Sequence, residues 1–198
     1  MIRAIFLDVD GTLISFSTHE IPASALRALA QAHERGVRLF IATGRAANDL
    51  GPLEGIPYDG VVSLNGARCV ANDGRVVSLH PIPRADFERA LALSEEQDFA
   101  MGLELEEGVF VNRVTPDVER VAHMVAHPVP EQTDLRELFG RVECCQLCFY
   151  FDAETQRRVM TDLPTLHASR SCPIFADVNV TRTNNETGME DFMPSYDI

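Results

Sequence analysis

Two carboxylates, Asp8 and Asp10, close the opening run IRAIFLDVDGTL at residues 2–13. Paired carboxylates are the raw material of proton transfer, nucleophilic attack and metal-ion chemistry. At the end of an apolar strand they also repel each other, so the pair is worth keeping only where a counter-charge is drawn between them. Two more polar clusters end apolar runs. Thr43-Gly44-Arg45 follows residues 37–42, and Asn65-Gly66 closes GVVSLNGA at residues 60–67. Taken singly, each cluster is also what an ordinary turn or cap requires.

The elements that carry these clusters decide between the two readings. Residues 2–7 and 37–42 are short continuous apolar runs of the kind found in parallel strands buried on both faces. Between them Leu26, Leu29, Ala30 and His33 fall on one helical face, with Pro22 in the first turn and Gly36 as the stop. Strand, helix, strand, connection, strand predicts right-handed crossovers and a parallel sheet, hence an α/β, Rossmann-like fold. The carboxyl ends of three such strands share one edge, where open α/β sheets bind ligands. Asp8 and Asp10, then Thr43 and Gly44, then Asn65 are therefore expected in one crevice.

Bulk properties narrow the function. The chain of 198 residues is long enough for one core with a small inserted module. A net charge of −13 argues against a nucleic-acid partner. No apolar stretch is long enough for a membrane span or resembles a signal peptide. Five cysteines without secretory context (Cys69, Cys144, Cys145, Cys148 and Cys172) read as reduced thiols in a cytoplasm. All 17 basic residues are arginine, which excludes any mechanism that needs a lysine ammonium from this sequence.

FLDVDGTL, IATGR and SLNGA at their observed spacing resemble three signatures of the haloacid dehalogenase superfamily, specifically its Cof-type (type IIB) phosphatases with an α/β cap. The resemblance runs from Met1 to about Gly188. It implies an aspartyl-phosphate mechanism, with Asp8 as nucleophile and Asp10 as general acid and base. It also implies Mg²⁺ held by the Asp8 carboxylate and the Asp10 backbone carbonyl. Thr43 and the Gly44 amide would bind phosphoryl oxygens, Arg45 would aid their orientation, and Asn65 would line the crevice. The substrates it implies are small phosphorylated metabolites such as sugar phosphates.

The domain organisation expected on this basis is a core at 1–67, a cap at 68–177 and a return to the core at 178–198. The cap begins with a hairpin turn at NDGR, residues 72–75. It continues with helices over PRADFERALALSEEQ, TPDVERVAHMVAH, Asp134–Phe139 and AETQRRVMTDL, a strand pair turning near Glu107-Gly108, and a strand over VECCQLCFYF. Strand alternation sets Cys145 on the opposite face from Cys144 and Cys148. Helical spacing of four sets His123 and His127 on one face, read as packing and not as a metal pair.

The C-terminal segment departs from the resemblance. Asn185 stands where the family pattern has a lysine, Gly188 still matches, and Arg182, the nearest cation, is expected to reach in and bind the phosphate in its place. Ten residues follow Gly188 without a second acidic signature. The expectation is a truncated chain whose first strand lies at the sheet edge, a place a second copy could cover as a homodimer. The alternative to a phosphomonoesterase is an impaired or inactive homologue that binds a phosphorylated ligand or a partner chain.

Overall fold

The computed structural model describes residues 2–15, 17–18, 20–51, 53 and 55–196. Residues 1, 197 and 198, at the ends of the first and last expected segments, lie outside that set. Two units are present, one formed by Met1–Leu79 with Arg182–Ile198 and the other by His80–Thr181.

The first unit is built on a five-stranded sheet in the order β1-β2-β3-β4-β5. Its strands are β1 (Ala4–Asp8), β2 (Arg38–Ala42), β3 (Gly60–Ser63), β4 (Arg68–Ala71) and β5 (Val76–Leu79). The first three are parallel, as the apolar runs predict, and β4 and β5 are antiparallel additions. Helix α1 (Ala23–Glu34) makes the crossover between β1 and β2. Pro22 sits one position ahead of it, at the cap, with φ −58°. Alternation along β2 buries both faces. Leu39 and Ile41 join Leu29, Val61 and Leu13 on one side, while Phe40 and Ala42 join Val62, Cys69 and Phe192 on the other. The strand β1 is the end strand of this sheet and its Ala4–Leu7 side chains are only half-buried.

The second face is closed by the last helix, which sequence periodicity does not announce. Its first turn is stapled by a reciprocal cap. The Asn184 amide donates to Thr187 Oγ1 at 3.0 Å, and the Thr187 amide donates to Asn184 Oδ1 at 2.9 Å. Numbered in chain order this is α6 (Asn185–Tyr196), and it lays Phe192 on Phe40 with ring centroids 4.8 Å apart.

The second unit holds a six-stranded sheet in the order β10-β11-β9-β6-β7-β8. The strands are β6 (Ala100–Leu105), β7 (Gly108–Val111), β8 (Glu131–Gln132), β9 (Gln146–Tyr150), β10 (Leu166–Cys172) and β11 (Phe175–Val180). Helices α2 (Arg84–Glu96), α4 (Leu135–Phe139) and α5 (Ala153–Thr161) cover one face through Phe87, Leu91, Leu135 and Val159. Helix α3 (Pro116–Met124) packs Val118 and Val121 on the other face, against Ala100, Val111 and Tyr150. No helix among the described residues is long and apolar enough to cross a membrane.

Three expectations change. The hairpin around NDGR was expected to open the cap at residue 68. It instead extends the first sheet, because β4 pairs with β3 from Gly60↔Ala71 to Ser63↔Arg68, and the second unit begins at His80. His127 is not on the helix with His123. Helix α3 ends at Met124 and Ala126 turns left-handed at φ 55°, so helical spacing no longer applies. Cys144 and Cys148 lie on opposite faces, because β9 starts only at Gln146 and strand alternation does not reach back to Cys144.

Candidate active site

The pleated register places the acids. Asp8, the last residue of β1, pairs with Ala42 on β2, so Thr43 follows at the same level of the sheet. Past Asp8 the chain folds into a tight turn. The amides of Leu13 and Ile14 donate to the carbonyls of Asp8 and Val9 at 3.2 and 2.9 Å, and Gly11 adopts φ 78°. Val9, Leu13 and Ile14 are buried and anchor this turn, while Asp8 and Asp10 remain exposed. The Thr12 hydroxyl donates to Asp8 Oδ2 at 2.9 Å, a contact that the GT of the motif carries without announcing it.

The ends of β2 and β3 are tied directly to each other. The Thr43 amide donates to the Val62 carbonyl at 2.9 Å, the Asn65 amide to the Thr43 carbonyl at 3.2 Å, and the Leu64 amide to the Arg45 carbonyl at 3.0 Å. Thr43 is 1% exposed, and its hydroxyl oxygen accepts from the Arg45 amide at 3.2 Å. Leu64, Asn65 and Gly66 are consecutive left-handed residues with φ of 51°, 54° and 89°. For the two non-glycines this conformation costs roughly 1–2 kcal/mol each, the kind of strain that persists where surrounding structure enforces it. Asn65 is thereby brought against the strand end of Thr43. A side chain at Gly44 would meet Asn65 Oδ1 at 3.0 Å.

Arg45 turns its guanidinium to Asp10. Its Nε and Nη2 donate to Oδ2 and Oδ1 of Asp10 at 2.9 and 2.7 Å, and its Nη1 donates to the Asp49 carbonyl at 3.3 Å. The hydrogen bond to Asp10 raises the guanidinium pKa above its ordinary value, against the opposing effect of burial. Arg182 lies exposed in the turn before α6 with φ 76°, and among the described residues no hydrogen bond or ion pair joins it to the other site residues. Asn185 opens α6, and its Oδ1 is buried without a hydrogen-bond partner among the described residues. Gly66 and Gly188 allow that approach, since a Cβ on either would overlap Asn184 or Val62.

The oxygen donors around Asp8 suit a hard divalent cation. One Asp8 oxygen takes the Thr12 hydroxyl, and the Asp10 carboxylate is occupied by Arg45, which leaves Asp10 its backbone carbonyl. One carboxylate and one carbonyl fit Mg²⁺, which keeps several waters and uses substrate phosphate as a ligand. Among the described residues the grouping of three potential ligands lies in the second unit: Glu104, Cys148 and Asp177, within 4.8 Å of one another. There the Gln146 amide donates to Glu104 Oε2 and Asp177 Oδ1 at 2.7 and 3.2 Å, holding the two carboxylates side by side. Periodicity alone does not show this cluster, because its members come from three separate strands, β6, β9 and β11.

Comparison with known proteins gives the class. The pattern of the haloacid dehalogenase-like hydrolases matches residues 5–198, and the chain belongs to that family. Its fold superposes with a TM-score of 0.96 on BT1666 of Bacteroides thetaiotaomicron, from a study of phosphatases of the same superfamily. The identity is 52%, over 100% of this chain and 74% of that one. The subclass IIB sugar phosphatase BT4131 superposes at 0.87 with 28% identity, over 99% of this chain and 76% of that one. YkrA of Bacillus subtilis (strain 168), whose name carries a provisional phosphatase assignment, is 30% identical over 95 residues. That match spans 48% of this chain and 36% of YkrA. The resemblance to Cof-type, subclass IIB proteins and the α/β fold with a second α/β unit are thus borne out.

Proposed function

We propose that the chain is a Mg²⁺-dependent phosphomonoesterase acting on small phosphorylated metabolites, sugar phosphates among them, through an aspartyl-phosphate on Asp8. The observation that carries this reading is the pairing of Asp8 with Ala42, which sets the first acid beside Thr43 at the carboxyl edge of the parallel strands. Mg²⁺, held by the Asp8 carboxylate and the Asp10 carbonyl, would supply charge neutralisation at the phosphate.

The open oxygen of Asp8 attacks phosphorus. The phosphorus–oxygen bond to the leaving alcohol breaks, and the leaving oxygen takes a proton from the carboxylic acid form of Asp10, in which the protonated oxygen is turned to the leaving group and Arg45 keeps its contact with the other. Water then attacks the aspartyl-phosphate, Asp10 accepts its proton, and the Asp8 carboxylate is regenerated with release of inorganic phosphate. The Thr43 hydroxyl and Gly44 amide donate to phosphoryl oxygens through both steps, and Asn65 borders the same strand ends.

Hydrolysis of an aryl phosphate with and without Mg²⁺, beside Asp8→Asn, tests this. Metal-dependent turnover that disappears in the variant is the expected result, and equal background from both proteins overturns it. The second reading, ligand binding without turnover, is favoured by Asn185, which brings no cation to the position where the family resemblance places lysine. Saturable binding of inorganic phosphate without turnover would select it.

A further inference from the structure

Arg45 commits its guanidinium to Asp10. A phosphate-orienting arginine would keep its fork open toward the crevice. Here the two parallel N–H donors of the fork are spent on Asp10, at 2.9 and 2.7 Å, and the remaining nitrogen is tethered to the Asp49 carbonyl at 3.3 Å. The side chain is 29% exposed and Asp10 43%, so the pair is partly withdrawn from water. The backbone around Arg45 is fixed too, its amide by Thr43 Oγ1 and its carbonyl by the Leu64 amide. A two-point contact removes rotation about the carboxylate bonds in a way that a single-point charge cannot.

We propose that Arg45 is a positioning residue for Asp10: it fixes the orientation of that carboxylate and does not bind the substrate phosphoryl group. The inference rests on the phosphomonoesterase reading and adds a role to it. Its consequence depends on the leaving group. An alkyl or sugar phosphate departs as a strongly basic alkoxide and needs the proton that Asp10 delivers, whereas an activated aryl phosphate departs as a weakly basic phenolate and needs it little. Loss of Asp10 alignment therefore harms the first substrate far more than the second. Loss of a phosphate ligand would harm both alike.

The test compares Arg45→Ala and Arg45→Lys in the full chain, each alone and combined with Asp10→Asn, on a hexose phosphate and a nitrophenyl phosphate. Inorganic phosphate affinity is measured in parallel by calorimetry. For Arg45→Ala the expected result is a fall of roughly 10–100-fold in kcat/KM, carried by kcat, for the hexose phosphate. A fall of less than about 3-fold is expected for the aryl phosphate. Arg45→Lys should not rescue, because it restores the charge without the fork. In the Asp10→Asn background, Arg45→Ala should change neither rate nor phosphate affinity.

Equal losses on both substrates, or a tenfold weaker phosphate affinity in the Asp10→Asn background, would overturn the proposal and return Arg45 to the phosphate. If the parent chain turns over neither substrate, the phosphomonoesterase reading fails. The affinity comparison in the Asp10→Asn background then still decides whether Arg45 contacts phosphate. Thermal unfolding of each variant separates misfolding from both outcomes.

Discussion

A β-carbon on Gly66 would lie 1.9 Å from the carbonyl oxygen of Asn184, so the turn after β3 and the entry to α6 are in backbone contact. Neither atom can yield cheaply, since Gly66 is held at φ 89° and the Asn184 carbonyl accepts the Gly188 amide at 3.0 Å. Gly66→Ala is expected to destabilise the protein by at least ~3 kcal/mol through backbone overlap added to left-handed strain. Gly74 has a similar φ of 84° with nothing within 4 Å of its added Cβ, so Gly74→Ala should cost only ~1 kcal/mol. Urea titration of the two variants measures the difference, and equal losses would remove the overlap argument.

A second expectation concerns Asp59, which is 4% exposed at the opposite end of the strands from the candidate site. Its Oδ1 accepts from Arg38 Nη1 at 2.7 Å and its Oδ2 from the Leu39 amide at 2.9 Å, clamping the start of β2 to the entry of β3. Asp59→Ala leaves the buried Leu39 amide with only the water it can reach, and a loss of ~2 kcal/mol is expected. Because the clamp is remote from Asp8, kcat on any substrate should be unchanged under conditions where the variant is folded.

Much of this was legible in the sequence because the signals are local. The runs at residues 2–7 and 37–42 are β1 and β2 within two residues, and the polar residues that end them do share one edge. What was not legible depends on partners distant in the chain. The turn at Asn72–Arg75 is equally good for either sheet, and only pairing with β3 assigns it. The partner of Arg45 is 35 residues away, and no spacing rule connects them. Asp59 clamps Arg38 and the Leu39 amide, 21 and 20 residues earlier in the chain, and no local signal connects them.

The cysteines give a prediction with a direction in pH. Burial pushes the Cys69 thiol up to about 11 and the Cys144 thiol up to about 12, from an ordinary value near 9. Only Cys172 is partly accessible, so at pH 8 it alone should be alkylated rapidly in the folded protein, as read by mass spectrometry. Between pH 9 and 11 the unfolded chain releases the Cys69 proton while the native chain keeps it. The native state then holds more protons, so this contribution to stability is complete below pH 9 and is lost as pH rises through 11. Unfolding midpoints that rise over that interval in the parent, but not in Cys69→Ala, would contradict the assignment.

The last prediction concerns Asn185. Its place at the start of α6 is fixed by the Asn184–Thr187 cap and by the close packing of Gly188 on Val62, so a longer side chain there begins from a rigid origin. Its buried Oδ1 has no hydrogen-bond partner among the described residues, so Asn185→Lys gives up no hydrogen bond at that atom. The substitution adds a mobile positive charge at a helix N-terminus, a placement slightly unfavourable to the helix dipole and worth a few tenths of a kcal/mol. Against that small cost, an ammonium near the phosphate would offset charge that develops in the transition state, an effect of order tenfold or more on rate. Asn185→Lys is therefore expected to raise kcat/KM at least tenfold on an aryl phosphate with little change in melting temperature. An unchanged rate in a folded variant would show that the start of α6 is not close enough to the phosphate for a cation there to act.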